Sequence, residues 1–266
     1  MKKKVPILVA GVPPDSFSYD GQLWGNPVYN WDYLRKTSFQ WWIERIEWSL
    51  KLYDAVRIDH FRGFDRFWAV PFGSVNAKIG KWYEAYGKEL FDTVNKKIKN
   101  ACIIAEDLGA ITDSVIHLKK HLGYPGMKVL QFAFDGNPKN PYLPRNYEKN
   151  CVAYTGTHDN NTLRGWFESL DDQNKKIVLS KLGINENISD ICSITLKIIE
   201  ALYFSKADLC VIPLQDFLNF SSEGRINTPS TLGVNWMFRI YENMLDDELA
   251  GKLKEMAVKS NRMDFN

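Results

Sequence analysis

The chain has 266 residues, 45% of them hydrophobic, 14% aromatic and 25% charged, a globular composition that supports one large core or two modest ones and excludes general disorder. Its formal charge of +2, from 34 basic and 32 acidic residues, provides no single-sign field to hold nucleic acid or an anionic membrane, so the expected partner is small or neutral. Nine Trp, twelve Tyr and fifteen Phe exceed the needs of a core this size and suit aromatic platforms or the rim of a cleft.

The opening M-K-K-K-V-P-I-L-V-A-G-V imitates a signal peptide, but its apolar run is short, contains Pro6 and meets Pro13-Pro14 without a clear cleavage site. A cytoplasmic location is expected. No apolar stretch approaches the ~20 residues of a membrane span. In chain order, apolar runs predict strands over 5–10, 55–59, 101–106, 127–134, 151–156 and 208–214. Helical periodicity covers 38–53, 76–99, 111–122, 161–182 and 187–205, with a closing amphipathic helix over 241–258. Strands separated by helical crossovers predict a parallel α/β sheet. No linker, low-complexity run or repeat divides the chain, so residues 1–266 read as one unit. Length alone fits a (β/α)8 barrel of the TIM type, but only five or six strands are counted, so the barrel is expected to be incomplete. Cys102, Cys151 and Cys210 lie within or beside apolar runs and read as buried thiols of a reducing compartment.

Three of these strands end in acids. A-V-R-I-D ends in Asp59, C-I-I-A-E-D in Glu106 and Asp107, and V-A-Y-T-G-T-H-D runs on to His158 and Asp159. In parallel α/β folds the C-terminal strand ends carry the chemistry, because their loops converge on one face. Arg57 and Asp59 are two apart and share a strand face, so the guanidinium favours an ionised Asp59. Glu106 follows Ile103, Ile104 and Ala105, surroundings that favour the protonated acid. One carboxylate kept ionised and one carboxyl kept protonated is the arrangement for retaining glycoside chemistry, with Asp159 free to grip sugar hydroxyls.

Blander readings compete with this one. Arg-x-Asp on a strand is commonly a structural ion pair, and Glu-Asp at a strand end can simply cap the next helix. Acids at successive strand ends also bind Mg²⁺, although no strand lysine or histidine stands ready as the base that enolase-type chemistry needs. His117 and His121 have i, i+4 spacing but lack the Glu of H-E-x-x-H, and read as surface residues.

The runs G-V-P-P-D-S-F-S-Y-D-G-Q-L-W-G-N-P-V-Y-N-W (11–31), V-R-I-D-H-F-R-G-F, I-I-A-E-D-L-G, P-G-M-K-V-L-Q-F-A-F, Y-T-G-T-H-D-N-N-T and N-T-P-S-T-L-G-V-N-W (227–236) closely resemble the 4-α-glucanotransferases called amylomaltases or disproportionating enzymes, relatives of the α-amylases. The resemblance extends from residue 10 through nearly the whole chain. It implies Asp59 as nucleophile, Glu106 as general acid/base and Asp159 as the carboxylate that stabilises the distorted transition state. It further implies Arg57 as the contact of the nucleophile, His158 as a donor-subsite hydrogen bonder, and Asp15, Phe17, Trp24 and Phe132 as cleft residues; packing is the plain alternative for the aromatics. No metal and no cofactor are implied, and the substrates are α-1,4-glucans and maltooligosaccharides.

The departure from the family is size. The first barrel strands have no counterpart, leaving about strands four to eight of the barrel, with residues 1–9 as a foreign or divergent start. An open parallel edge predicts self-association or pairing with the missing N-terminal half. Two functional classes follow: a retaining glucanotransferase, and an inactive truncated fragment that binds α-glucan or needs a partner chain. Metal-dependent barrel chemistry stands as a third.

Overall fold

The computed structural model describes residues 5–15, 18–109, 111–185 and 188–263, in two units, residues 1–126 and 127–266. In chain order the first unit contains strands β1 (Leu8–Val12) and β2 (Gln22–Pro27), helices α1 (Trp31–Lys36) and α2 (Gln40–Leu52), strands β3 (Val56–Ile58), β4 (Arg66–Pro71) and β5 (Lys81–Glu84), helix α3 (Gly87–Lys97), strand β6 (Ile103–Ala105) and helix α4 (Asp113–Leu122).

The helices bury the stripes that their periodicity predicts. Trp42, Ile43 and Ile46 of α2 face inward, as do Leu90, Phe91 and Val94 of α3. These side chains pack with Phe61, Phe64, Ile58 and Ile103 in one core, where Phe61 and Phe91 rings lie 5.5 Å apart. Full burial of each such side chain contributes about 1.5–3 kcal/mol. Strands β3 and β6 pair in parallel, with Arg57 opposite Ile104 and Ile58 opposite Ala105. That pairing runs on beyond the strands, since the Glu106 N–H donates to Ile58 O and the Phe61 N–H to Glu106 O, each at 3.0 Å.

The N-terminal region corrects two expectations. The strand expected over 5–10 runs from Leu8 to Val12 and belongs to an antiparallel sheet of order β2-β1-β4-β5, and the helix expected over 76–99 begins only at Gly87. Residues 66–84 instead form a hairpin whose facing aromatics hold it, Phe67 stacked on Tyr83 at 5.6 Å and Trp68 edge-on to Trp82 at 5.4 Å. Such cross-strand pairs each contribute about 0.2–1 kcal/mol, enough to outweigh a weak helical pattern.

The second unit contains strands β7 (Gly126–Val129) and β8 (Cys151–Tyr154), helices α5 (Leu163–Ser169), α6 (Asp172–Leu182) and α7 (Ile191–Tyr203), strand β9 (Leu209–Val211), and helices α8 (Leu214–Phe217) and α9 (Asp247–Lys259). Strands β8 and β9 pair in parallel, and α7 buries Ile194, Ile198, Ile199 and Leu202 in the core beside β8. The strand expected over 127–134 stops at Val129, and Leu130–Phe132 form a single 3₁₀ turn. The helix expected over 161–182 is two helices, because Asp171 caps α6 by accepting the Asn174 N–H at 2.7 Å. No helix among the described residues is long and apolar enough to cross a membrane. Cys151 is buried as expected, whereas Cys102, expected to be buried, is exposed because it precedes the first residue of β6.

Candidate active site

In the first unit the site grows from the ends of β3 and β6. Ile103, Ile104 and Ala105 are buried, so the next residue emerges at the sheet's end with apolar neighbours behind it. Both Glu106 oxygens are gripped by main chain: Oε1 accepts the Leu108 N–H at 2.8 Å and Oε2 the His60 N–H at 2.7 Å. Burial is the largest influence on this carboxyl and raises it above its ordinary value. The Asp59 charge pushes the same way, while the two N–H groups and the Arg57 charge pull it down.

His60 reaches Glu106 only because it adopts a left-handed conformation, φ 47° and ψ 52°. Its imidazole is lowered to about 4, chiefly by burial and then by the Arg62 charge, with Asp59 opposing. The ring is therefore neutral at neutral pH and adds no cation that would ionise Glu106. Arg57 Nη2 donates to Asp59 Oδ1, so the pair expected from their spacing is formed. The Asp59 side chain is 73% exposed, open to an incoming group.

Trp24, on β2, stands edge-on against the His60 ring at 4.8 Å. It borders a cavity of about 560 Å³ that is also lined by Arg57, Asp59, His60, Trp42 and Arg45. Asp15 lies at the surface, where Oδ1 accepts the Ser18 N–H at 2.9 Å. Phe17 lies outside the described residues.

In the second unit the loop after β8 carries His158 and Asp159, whose Nε2 and Oδ2 atoms are 3.2 Å apart. Asn227 Nδ2 donates to Asp159 Oδ1 at 2.6 Å, and Arg225 Nη2 donates to the Asp159 carbonyl at 2.7 Å. Phe132 is part of the 3₁₀ turn, where it is 42% exposed and stands edge-on to Tyr142 at 5.6 Å.

Asp216, at 2% exposure, fastens the start of this loop. Its Oδ2 accepts the Thr155 hydroxyl at 2.5 Å and its Oδ1 the Leu163 N–H at 2.7 Å, tying the end of β8 to the first turn of α5. Burial pushes its carboxyl from 3.8 up to about 6, against the pull of both donors. A pKa raised in the fold means that the folded chain binds the proton more tightly. Its contribution to stability is complete below the unfolded value and is lost as pH rises through about 6. The loss amounts to about 3 kcal/mol at ~1.4 kcal/mol per pH unit. Asp216→Asn, which carries no ionisable group, is expected to flatten the fall in unfolding free energy between pH 4 and pH 6, as read by urea denaturation at successive pH values.

Four contributors lie outside the residues predicted from sequence: His60 as a donor, Asn227, Arg225 and Asp216. Asp216 carried a usable signal, since it follows an apolar strand run just as the other acids do. Asn227 opens the N-T-P-S-T-L-G-V-N-W run, where residue type alone does not mark a hydrogen bond to a distant acid.

A family model described as 4-alpha-glucanotransferase matches residues 1–244. The 4-alpha-glucanotransferase of Clostridium butyricum is 50% identical over 251 residues, covering 93% of this chain and 50% of that protein. The chloroplastic/amyloplastic 4-alpha-glucanotransferase of Arabidopsis thaliana is 47% identical over 248 residues, covering 93% and 42%. The solved structure of amylomaltase from Streptococcus agalactiae in complex with acarbose superposes with a TM-score of 0.93 at 39% identity, covering 99% of this chain and 53% of that one. The chain spans about half the length of the curated relatives that it matches.

Proposed function

The chain belongs to the 4-alpha-glucanotransferase family, with the fold of part of that family's (β/α)8 barrel, and from that premise we propose that it transfers α-1,4-glucan segments between maltooligosaccharides, or to glucose, by retaining double displacement. The observation that carries this reading is the unlike treatment of two neighbouring acids. Asp59 is held by Arg57 and open to solvent, whereas Glu106 is raised by burial while its oxygens are fixed by main chain.

In the first step an Asp59 oxygen attacks the anomeric carbon while Glu106 gives its proton to the departing glycosidic oxygen, leaving a glycosyl ester on Asp59. In the second, the ionised Glu106 takes the proton from the 4-hydroxyl of an acceptor glucose as that oxygen displaces Asp59. Two inversions restore the configuration. Asp159 grips hydroxyls of the distorted ring and His158 hydrogen-bonds the donor sugar, while Asp15, Trp24 and Phe132 contact the glucan. The mechanism calls for neither metal nor cofactor, and the working compartment is the cytoplasm. No nucleic acid or membrane enters the reaction; a second copy or a further barrel segment is the protein partner.

The test is incubation of the purified chain with maltotriose, following glucose and longer oligosaccharides by chromatography. A product ladder that vanishes in Asp59→Asn supports the proposal. A folded chain that binds maltotriose without forming products is a glucan-binding fragment instead.

A further inference from the structure

The segment from Arg225 to Trp236 forms a strap across the His158–Asp159 loop. Besides the two bonds to Asp159, Arg225 Nε donates to Asn227 O at 2.8 Å, so the two residues that hold the acid also hold each other. The strap closes on itself: the Trp236 N–H donates to Ile226 O at 2.7 Å, and the Thr228 N–H to Asn235 Oδ1 at 3.0 Å. This closure fixes Trp236 in the left-handed region at φ 64°, where a bulky residue is a backbone outlier. Strained residues of this kind persist where surrounding contacts over-determine them, and they concentrate at ligand clamps.

The strain is not repaid by burial. Trp236 remains 59% exposed, with its ring 5.2 Å from that of His158 and tilted by 35°. The result is an open indole face beside an imidazole and a half-exposed carboxylate. Those are the parts of a sugar site: a flat apolar surface for the C–H face of a pyranose, with polar groups at its edge for the hydroxyls.

We propose that Trp236 contacts the glucan: with His158 it makes the platform on which one glucose unit rests, while Asn227 holds Asp159 turned toward that unit's hydroxyls. The inference rests on the α-glucan reading above for its ligand class. It adds a residue and a wall of the site to that reading.

The test is an NMR titration of the full chain, carrying ¹⁵N-labelled tryptophan, with maltotriose; Trp236→Phe and Trp24→Phe identify the two indole N–H signals. Saturable movement of the Trp236 signal is expected, together with a Kd raised about two- to tenfold in Trp236→Ala and largely restored in Trp236→Phe. If Trp24 responds while the Trp236 signal stays fixed, the inference is overturned and the α-glucan reading stands. If neither signal moves at millimolar sugar, both fall. The wild-type titration decides the matter even if Trp236→Ala does not fold.

Discussion

Glu106→Gln is expected to lower the rate of transfer from maltotriose by about 10²- to 10⁴-fold, the usual contribution of a positioned general acid. The loss should be unequal between the two steps. A donor whose leaving group needs no proton, such as an α-maltotriosyl fluoride, bypasses the first protonation, so formation of the glycosyl ester should be largely spared. Transfer to the acceptor still lacks its base and stays slow. The pH profile gives the sign independently: rising pH removes the proton that the first step consumes, and burial raises the Glu106 carboxyl. The alkaline limb of the wild-type profile should therefore fall above the ordinary carboxylate range, and Glu106→Gln should lack it. The amide is not a neutral replacement in the fold. Both Glu106 oxygens accept N–H groups, and the amide NH₂ can accept neither, so one donor loses its partner at a cost of about 1–3 kcal/mol in stability. Unfolding of the variant, measured beside its kinetics, separates that cost from the catalytic loss.

The acids Asp59 and Glu106 were legible because each ends a short strand whose apolar residues fix its register, and a strand end fixes where the next side chain emerges. The desolvation of Glu106 could be read from the Ile-Ile-Ala that precedes it. What the sequence did not disclose depends on distance along the chain. Asn227 reaches Asp159 across 68 residues, and no local pattern marks a hydrogen bond of that separation. The β4–β5 hairpin was hidden because K-W-Y-E is as compatible with a helix as with a strand until Trp68 and Phe67 stand opposite it. His60 follows Asp59 in a run where its residue type does not single it out. Its importance lies in a backbone N–H that only its left-handed conformation aims at Glu106, a property that residue type alone does not specify.

Lys119→Ala is expected to destabilise the chain by about 3–5 kcal/mol, the cost of removing one member of a buried ion pair. Lys119 Nζ lies 2.6 Å from Asp107 Oδ2, and both side chains are 9% exposed. The pair sits against Gly126, the last residue of the first unit, where any Cβ would meet both charged atoms, and Gly126 lies opposite Ala105 of β6. Asp107 is thus anchored one residue after Glu106, on the stretch that aims the acid. Urea denaturation should show the loss in Lys119→Ala, and the double variant Asp107→Leu/Lys119→Met should recover most of it, because a well-packed apolar pair commonly replaces a buried ion pair without loss. If the double variant regains stability while transfer remains impaired, the pair is kept for placing Glu106. If it regains both, the pair only compensates for its own burial, and the grip of His60 and Leu108 on the carboxylate suffices to place the acid.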